Sequence, residues 1–360
     1  MAAAAMNAPP PASPWHAPPC GAYRVLPVDI RRWPHLQHAV QAKKKRLVHI
    51  RRFSGDGHLN SVEALSVTVF VDAILRRDDK SQPALVLDIG ANIGHYTLYA
   101  AAIGASVVAI DMQPHCAHII SCQLARNNLS AQVINAYVAP PTVAAALNVP
   151  LTACDAMASP HAVAGRWPHG AAKKANTIVN RSVTQSVPPL SIASRLLRTE
   201  LARGGRRIAI TKIDVEGYET SVLEALRPVW HRMADIVLEL QPMAWRFSGV
   251  ALDTGLATLS DLATSGNYSI VALPHNNLAE AEERKPLLPP SPCHLLATPE
   301  DNPNKPRRVG WMNARVLSPE QFQARVRAVV REPNRHGWFF DIWFASSQWA
   351  QRCRHVRREQ

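Results

Sequence analysis

The feature that most constrains the fold of this chain is an alternation of short apolar segments with amphipathic ones in its middle. Ala84–Asp88 and Ser106–Ile110 are apolar runs that end at or beside an acid, as buried parallel strands often do. Between them, Tyr96–Ile103 has a helical pattern that stops at Gly104. Strands that alternate with helices in this way predict an α/β fold, with a mostly parallel sheet and helices on both faces.

The same alternation continues towards the C-terminus. Further strands are predicted at Gln132–Val138, Arg207–Val215, Asp235–Leu240, Tyr268–Leu273 and His294–Ala297. Helices are predicted at Ser61–Arg76, from Pro114 onwards, and at Ser191–Leu201, Tyr218–Leu226 and Leu256–Thr264. An acidic and proline-rich loop separates the last two strands, so we predict that they pair as a hairpin.

Composition divides the 360 residues into three parts. Residues 1–58 form a Pro/Ala-rich and then basic N-terminal extension, residues 59–300 the predicted domain, and residues 301–360 a basic, Trp-bearing C-terminal extension. Within the domain, the stretch at about 140–176 loses the pattern and is interpreted as an irregular insertion. The net charge of +13 is concentrated in the flanks, where RNA phosphates or an acidic partner are conceivable ligands.

The six cysteines show neither metal-ligand spacing nor a dense disulfide framework, so we expect reduced thiols and no metal site. No window reaches the length of a membrane span, and the first residues lack the pattern of a secretory signal. The sequence therefore indicates no particular compartment, with the cytoplasm as the default, and it leaves the oligomeric state open.

The segment from Val86 to Gly94 reads as a strand that turns into a helix through a glycine-rich loop. Gly90 permits a backbone twist and lets a ligand approach the main chain, and Gly94 lets the helix pack closely on the strand. Asn92 stands where a dinucleotide fingerprint has its middle glycine, which favours a nucleoside ligand without a pyrophosphate over a nicotinamide cofactor. Asp88, at the end of the strand, is expected to face a cationic ligand head.

Asp111 follows the next strand, at an offset close to the one at which an acid accepts hydrogen bonds from ribose hydroxyls. A third segment, from Lys212 to Glu219, places Lys212, Asp214 and Glu216 on one side of a strand. Such groups are costly to bury unless they are paired with each other or used in chemistry. Both interpretations, an ion pair and a working site, are open at this point.

Together these segments resemble the FkbM-type family of S-adenosylmethionine-dependent methyltransferases. The matching stretches are Asp88–Gly94, Leu124–Asn128, Lys212–Gly217 and Leu238–Leu240. The resemblance implies a Rossmann-like class I methyltransferase with a mostly parallel seven-stranded sheet, S-adenosyl-L-methionine as cofactor, and O-methylation of a hydroxyl. It also implies the cofactor-binding residues, which are Asp88, Gly90, Asn92, Gly94, Asp111 and Asn135.

The expected acceptor is a small molecule, a glycan or a lipid, and Asp214 or Glu216 is expected to orient it or to act as the base. His95, directly after the glycine loop, and Glu239, near the end of the fifth strand, are alternative groups for that task. Two other functions stay open: a methyltransferase that acts on RNA through the basic flanks, and a non-catalytic binding protein that keeps the fold.

Overall fold

A computed structural model describes residues 20, 26–28, 48–50, 64–76, 82–151, 154, 184–202, 206–273, 294–297, 310–313, 315–332, 340–346 and 349. The basic runs near both termini lie outside these residues. Residues 155–183, which include the second half of the predicted insertion, also lie outside them. None of the described helices combines the length and the apolar character that crossing a membrane requires.

Seven α-helices and sixteen strands are found among the described residues. The helices are α1 (Ala64–Arg76), α2 (His95–Ile103), α3 (Pro114–Arg126), α4 (Ile192–Arg198), α5 (Glu219–Leu226), α6 (Leu252–Ser265) and α7 (Pro319–Arg331). The strands are β1 (Leu26–Val28), β2 (Val48–Ile50), β3 (Leu85–Ile89), β4 (Ser106–Asp111), β5 (Gln132–Asn135), β6 (Tyr137–Val138), β7 (Leu147–Pro150), β8 (Thr184–Val187), β9 (Pro189–Leu190), β10 (Ile208–Ile213), β11 (Met233–Leu240), β12 (Tyr268–Leu273), β13 (His294–Ala297), β14 (Gly310–Asn313), β15 (Arg315–Leu317) and β16 (Phe340–Ser346).

The central sheet contains eight strands in the order β15-β12-β16-β11-β10-β3-β4-β5. The pairings from β11 to β5 are parallel, whereas β16 runs antiparallel to both β11 and β12, and β15 runs antiparallel to β12. The predicted α/β class with a mostly parallel sheet is confirmed. The predicted count of seven strands is wrong, because the short edge strand β15 adds an eighth.

The two faces of the sheet belong to two separate hydrophobic clusters. On β3, Val86 belongs to the cluster that contains Phe70 of α1 and Tyr99 of α2. The next residue, Leu87, belongs to the cluster that contains Leu223 of α5 and other residues of α4, α6 and α7. Because successive strand residues point to opposite faces, this division shows helices on both sides of the sheet, as the apolar strand sequences require.

The predicted hairpin near the end of the domain is wrong. Strand β12 pairs with β16 and β15, and β13 pairs with β14 in a separate two-stranded ladder. Residues 340–346, predicted to belong to a C-terminal extension, therefore lie inside the central sheet. The buried side chain of Trp343 in β16 donates a hydrogen bond to Asp235 of β11 at 3.1 Å. The sheet is thus completed beyond the predicted domain boundary at residue 300.

Two further stretches differ from their predicted form. The strand predicted at Gln132–Val138 is interrupted, since only β5 joins the central sheet while β6 pairs with β9. The predicted irregular insertion begins with ordered backbone, because β7 pairs antiparallel with β8.

The described cysteines form two disulfides, contrary to the expectation of reduced thiols. Cys20 is bonded to Cys122, and Cys116 is bonded to Cys154, so that α3 carries one partner of each pair. The bonded residues are 102 and 38 positions apart, and spacings of this length give no recognisable pattern in a single sequence.

We predict that truncation after residue 300 abolishes folding, because it removes β16 from between β11 and β12 and leaves both strands without a central partner. Truncation after Trp349 keeps that strand and serves as the control. Soluble yield and the thermal melting followed by far-UV circular dichroism measure the outcome. A chain ending at residue 300 that melts as cooperatively as the full chain would show that β16 is dispensable.

Candidate functional site

The three segments singled out in the sequence meet at one edge of the sheet. The glycine loop follows β3, Asp111 ends β4, and the Lys212 segment ends β10, and these three strands are neighbours in the order β10-β3-β4. Ligands of open α/β sheets bind at the carboxyl ends of the strands, so the chemistry-bearing residues lie at the expected edge.

Gly90 is required by a contact between two loops. Its φ is +80°, and a Cβ atom added there would lie 1.7 Å from the carbonyl oxygen of Asp214. The N–H of Asp214 in turn donates to the carbonyl of Ile89 at 2.9 Å. Gly90 therefore makes room for the loop after β10, and its role towards a ligand stays a prediction.

Gly94 has a similar role on the other side of the loop. Its φ is +87°, and an added Cβ would lie 3.0 Å from Ile120 of α3. The close packing that the sequence predicted against the strand is thus made against the next helix instead.

The carboxylate of Asp111 points back to the glycine loop. One oxygen accepts a hydrogen bond from the N–H of Asn92 at 2.7 Å, and the other accepts one from Gln113 at 2.8 Å. Asn92 has a φ of +49°, the left-handed conformation that asparagine tolerates. Each carboxylate oxygen has a second lone pair, so two further donors, such as the hydroxyls of a ribose, can be accepted.

Burial raises the pKa of Asp111 to about 7, although the two backbone N–H donors favour the ionised form. A group with this pKa changes its charge close to neutral pH. The ability of Asp111 to accept hydrogen bonds from a ligand therefore depends on pH in the physiological range.

Asp88 does not face the space in front of the loop. Its side chain is 1% exposed and accepts a hydrogen bond from the hydroxyl of Thr97 in α2 at 2.5 Å. Burial raises its pKa to about 6. Asp88 thus points towards α2 and not, as predicted, towards a cationic ligand head.

Asn135 lies beside Asp111, and its amide group is engaged by protein partners. It donates to the backbone carbonyl of Asp111 at 3.0 Å and accepts from Gln185 of β8 at 3.2 Å. No sequence motif marks Gln185, because it follows the irregular insertion. Strand β8, which pairs with β7, therefore contributes to the edge of the site.

An acidic cluster lies on the other side of the glycine loop. We use this name for Asp214, Glu216 and Glu239, which each place a carboxylate oxygen within 4.8 Å of the others. The ammonium group of Lys212, which is 1% exposed, lies 3.2 Å from Asp214 and 5.4 Å from the ring centre of Tyr96. The ion pair that the sequence left as one interpretation is present, whereas a working site at these residues stays a prediction.

The members of the acidic cluster differ in exposure and in partners. Asp214 is 25% exposed, whereas Glu216 and Glu239 are each 8% exposed. Glu216 has a φ of +52° and accepts a hydrogen bond from Gln241. Burial, reinforced by the charge of Asp214, raises the pKa of both Glu216 and Glu239 well above the usual range. Asp214 is therefore the member most open to a substrate.

Glu219 is a further buried acid near this loop, and its role is to hold the backbone. Its two oxygens accept from the N–H of Gly217 at 2.6 Å and from the indole of Trp245 at 2.8 Å. Burial raises its pKa to about 7. Because both of its oxygens accept hydrogen bonds, Glu219 fixes the turn that presents Glu216.

His95, an alternative candidate for the base, packs its ring edge-to-face on the ring of Tyr99, with 4.8 Å between the ring centres.

The doubly wound sheet, the glycine loop after β3 and the carboxylate beside that loop are features of the Rossmann-like class I methyltransferase fold. Residues 88–261 match the model of the family described as "Methyltransferase FkbM domain". This stretch of the chain is therefore similar to FkbM methyltransferase domains, a family that depends on S-adenosylmethionine. No curated protein matches the chain.

Solved structures similar to this chain are distant. They include a precorrin-6y C5,15-methyltransferase from Geobacter metallireducens, with 11% identity, 77% of this chain and 86% of that chain covered, and a TM-score of 0.31. A SAM-dependent methyltransferase from Agrobacterium tumefaciens has 13% identity, 60% and 52% coverage, and a TM-score of 0.31. An O-methyltransferase from Bacillus cereus in complex with SAH has 12% identity, 69% and 85% coverage, and a TM-score of 0.34. At such distances these proteins carry no argument about the acceptor.

We predict that the affinity for S-adenosylmethionine falls about tenfold between pH 8 and pH 6, because protonation of Asp111 with a pKa near 7 removes an acceptor for the ribose. Isothermal titration calorimetry at a series of pH values measures the dissociation constant. In Asp111→Asn the affinity should be low at every pH and this transition should disappear. A transition that persists unchanged in the variant would assign it to another group.

Proposed function

We propose that this protein transfers the methyl group of S-adenosylmethionine to a hydroxyl oxygen of a small molecule, a sugar or a lipid. The observation that carries the proposal is the position of Asp214. It is the most exposed member of the acidic cluster, and its backbone packs directly against the glycine loop. Its carboxylate forms an ion pair with Lys212. A carboxylate so placed can accept the proton that a hydroxyl loses when its oxygen is methylated.

The residues around the glycine loop suit the cofactor. Asp111 would accept hydrogen bonds from its ribose, and the loop backbone at Asn92 and Gly94 would lie against the adenosyl group. The side chain of Asn135 is oriented by its hydrogen bonds to Asp111 and Gln185. This favours a position at the rim of the adenine site over a hydrogen bond from the Asn135 amide to the adenine itself. When bound, the cofactor supplies a methyl group already activated by the positive charge on its sulfur.

Because the methyl group is activated, the protein has to position the acceptor oxygen and remove its proton. Asp214 serves as the base in this proposal, and Glu216 shapes the turn beside it through its hydrogen bond with Gln241. The ion pair with Lys212, at 3.2 Å, fixes the direction of the Asp214 carboxylate.

We predict that Asp214→Asn lowers turnover about 100-fold, which is the usual contribution of a positioned base. The dissociation constant of S-adenosylmethionine should change less than about fivefold, since Lys212 already balances the charge of Asp214. Turnover is measured as transfer of labelled methyl to a cell extract, which is then separated into small molecules, glycans, lipids, protein and RNA. Cofactor affinity is measured by calorimetry.

The matched control is Asp253→Asn, which changes an exposed aspartate that pairs with Arg327 at the surface. It should leave turnover and cofactor affinity unchanged. Equal turnover in Asp214→Asn and the wild-type protein would contradict the role of Asp214 as base. Label that accumulates in RNA, or no transfer despite tight cofactor binding, would instead support one of the two other functions that the sequence left open.

A further inference from the structure

Glu239 is the one member of the acidic cluster whose carboxylate has no hydrogen bond or ion pair among the described residues. It stands next to the last residue of β11 and is more than nine-tenths buried. Most buried carboxylates of native proteins have a partner, so a missing partner points to a ligand that supplies one. Glu239 also points into the cluster, since its oxygen lies within 4.8 Å of those of Asp214 and Glu216.

The charges around Glu239 are mostly of its own sign. From β10 and the following loop it faces Lys212, Asp214 and Glu216, and from β16 it faces Asp341, its direct partner in the antiparallel register. Lys212 is the one cation among them, and it lies 3.2 Å from Asp214. Negative groups therefore outnumber the one positive group around Glu239. A cation bound beside Glu239 would be stabilised there, and it would in turn favour the ionised form of this carboxyl, which burial and Asp214 otherwise disfavour.

The acidic cluster is also next to the loop that is proposed to hold the cofactor. An added Cβ on Gly90 would collide with the carbonyl of Asp214, so the glycine loop and the start of the cluster are in direct contact. Under the proposed function, a ligand held by that loop would therefore lie beside the acidic cluster. In S-adenosylmethionine the group between the ribose and the reacting methyl is the positively charged sulfur.

We propose that Glu239 is a specificity-determining residue, which selects the positively charged S-adenosylmethionine over the uncharged product S-adenosylhomocysteine. The inference rests on the proposed function, because it takes the glycine loop as the cofactor site. Methyl transfer removes the charge from the sulfur, so the attraction to Glu239 is lost when the product forms. The acidic cluster thereby favours entry of the cofactor and release of the product.

Glu239 is better suited to this task than the other acids because each of them already has a hydrogen-bond or ion-pair partner. Lys212 pairs with Asp214, Thr97 donates to Asp88, and Gln241 donates to Glu216. Removal of the charge of Glu239 should therefore change the balance between the two ligands more than the same change elsewhere.

The test compares dissociation constants for S-adenosylmethionine and S-adenosylhomocysteine by calorimetry, with the full chain and without acceptor. Wild-type protein should bind the methylated cofactor more tightly. Glu239→Gln keeps the size of the side chain and should weaken S-adenosylmethionine binding roughly tenfold. Binding of S-adenosylhomocysteine should change less than about twofold, since it carries no charge at sulfur. Glu320→Gln, an exposed glutamate at the start of α7, is the matched control and should leave both constants unchanged.

The wild-type protein gives a second measurement that is independent of how the variant folds. An analogue with a protonated amine in place of the charged sulfur should bind more tightly than S-adenosylhomocysteine. Equal affinities for the charged and uncharged ligands, or an unchanged ratio in a folded Glu239→Gln, would overturn the role of Glu239 while leaving the proposed function standing. If neither the cofactor nor its product binds the wild-type protein, the proposed function itself fails.

Discussion

The contact between Gly90 and the carbonyl of Asp214 is the constraint on which the site depends. With 1.7 Å between an added Cβ and that oxygen, only glycine can stand there. The contact joins the loop after β3 to the loop after β10. A hydrogen bond from the N–H of Asp214 to the carbonyl of Ile89 holds the two loops together. The glycine loop and the acidic cluster therefore keep a fixed distance, because they are parts of one packed backbone junction.

Electrostatic repulsion is built into the same edge of the sheet. Asp88, Asp111, Glu216 and Glu239 are all at least nine-tenths buried, and burial raises the pKa of each. Among the described residues, Lys212 is the one buried cation near part of this group. Such an arrangement does not maximise stability, since charges that lack partners are expensive to bury. Such an arrangement is typical of sites where a bound ligand completes the charge balance. For this reason, buried acids with raised pKa values are common at functional sites.

The sequence predicted the elements whose signals are local. The glycine loop, Asp111 and the Lys212 segment each follow a strand with a recognisable apolar pattern, and sheet topology alone brings them to one edge. The sequence did not predict that β16 belongs to the central sheet. The aromatic residues of β16 are equally typical of a segment that packs on the outside of a domain, and Asp235, which accepts a hydrogen bond from Trp343, is 108 positions away. Gln185 and the two disulfides were missed for the same reason, since contacts between distant positions leave no periodic trace in one sequence.

Helix α3 connects these distant contacts to the site. It begins directly after Gln113, whose N–H binds Asp111, and it carries Cys116 and Cys122, the anchors of both disulfides. The sulfur of Cys154, bonded to Cys116, lies 3.8 Å from the side-chain oxygen of Asn92. The chain at Cys154 is thus held near the glycine loop by a covalent bond to α3, the helix that follows Asp111 and Gln113. Because a crosslink mainly restricts the unfolded chain, this bond stabilises the folded arrangement of the loop, the helix and Cys154.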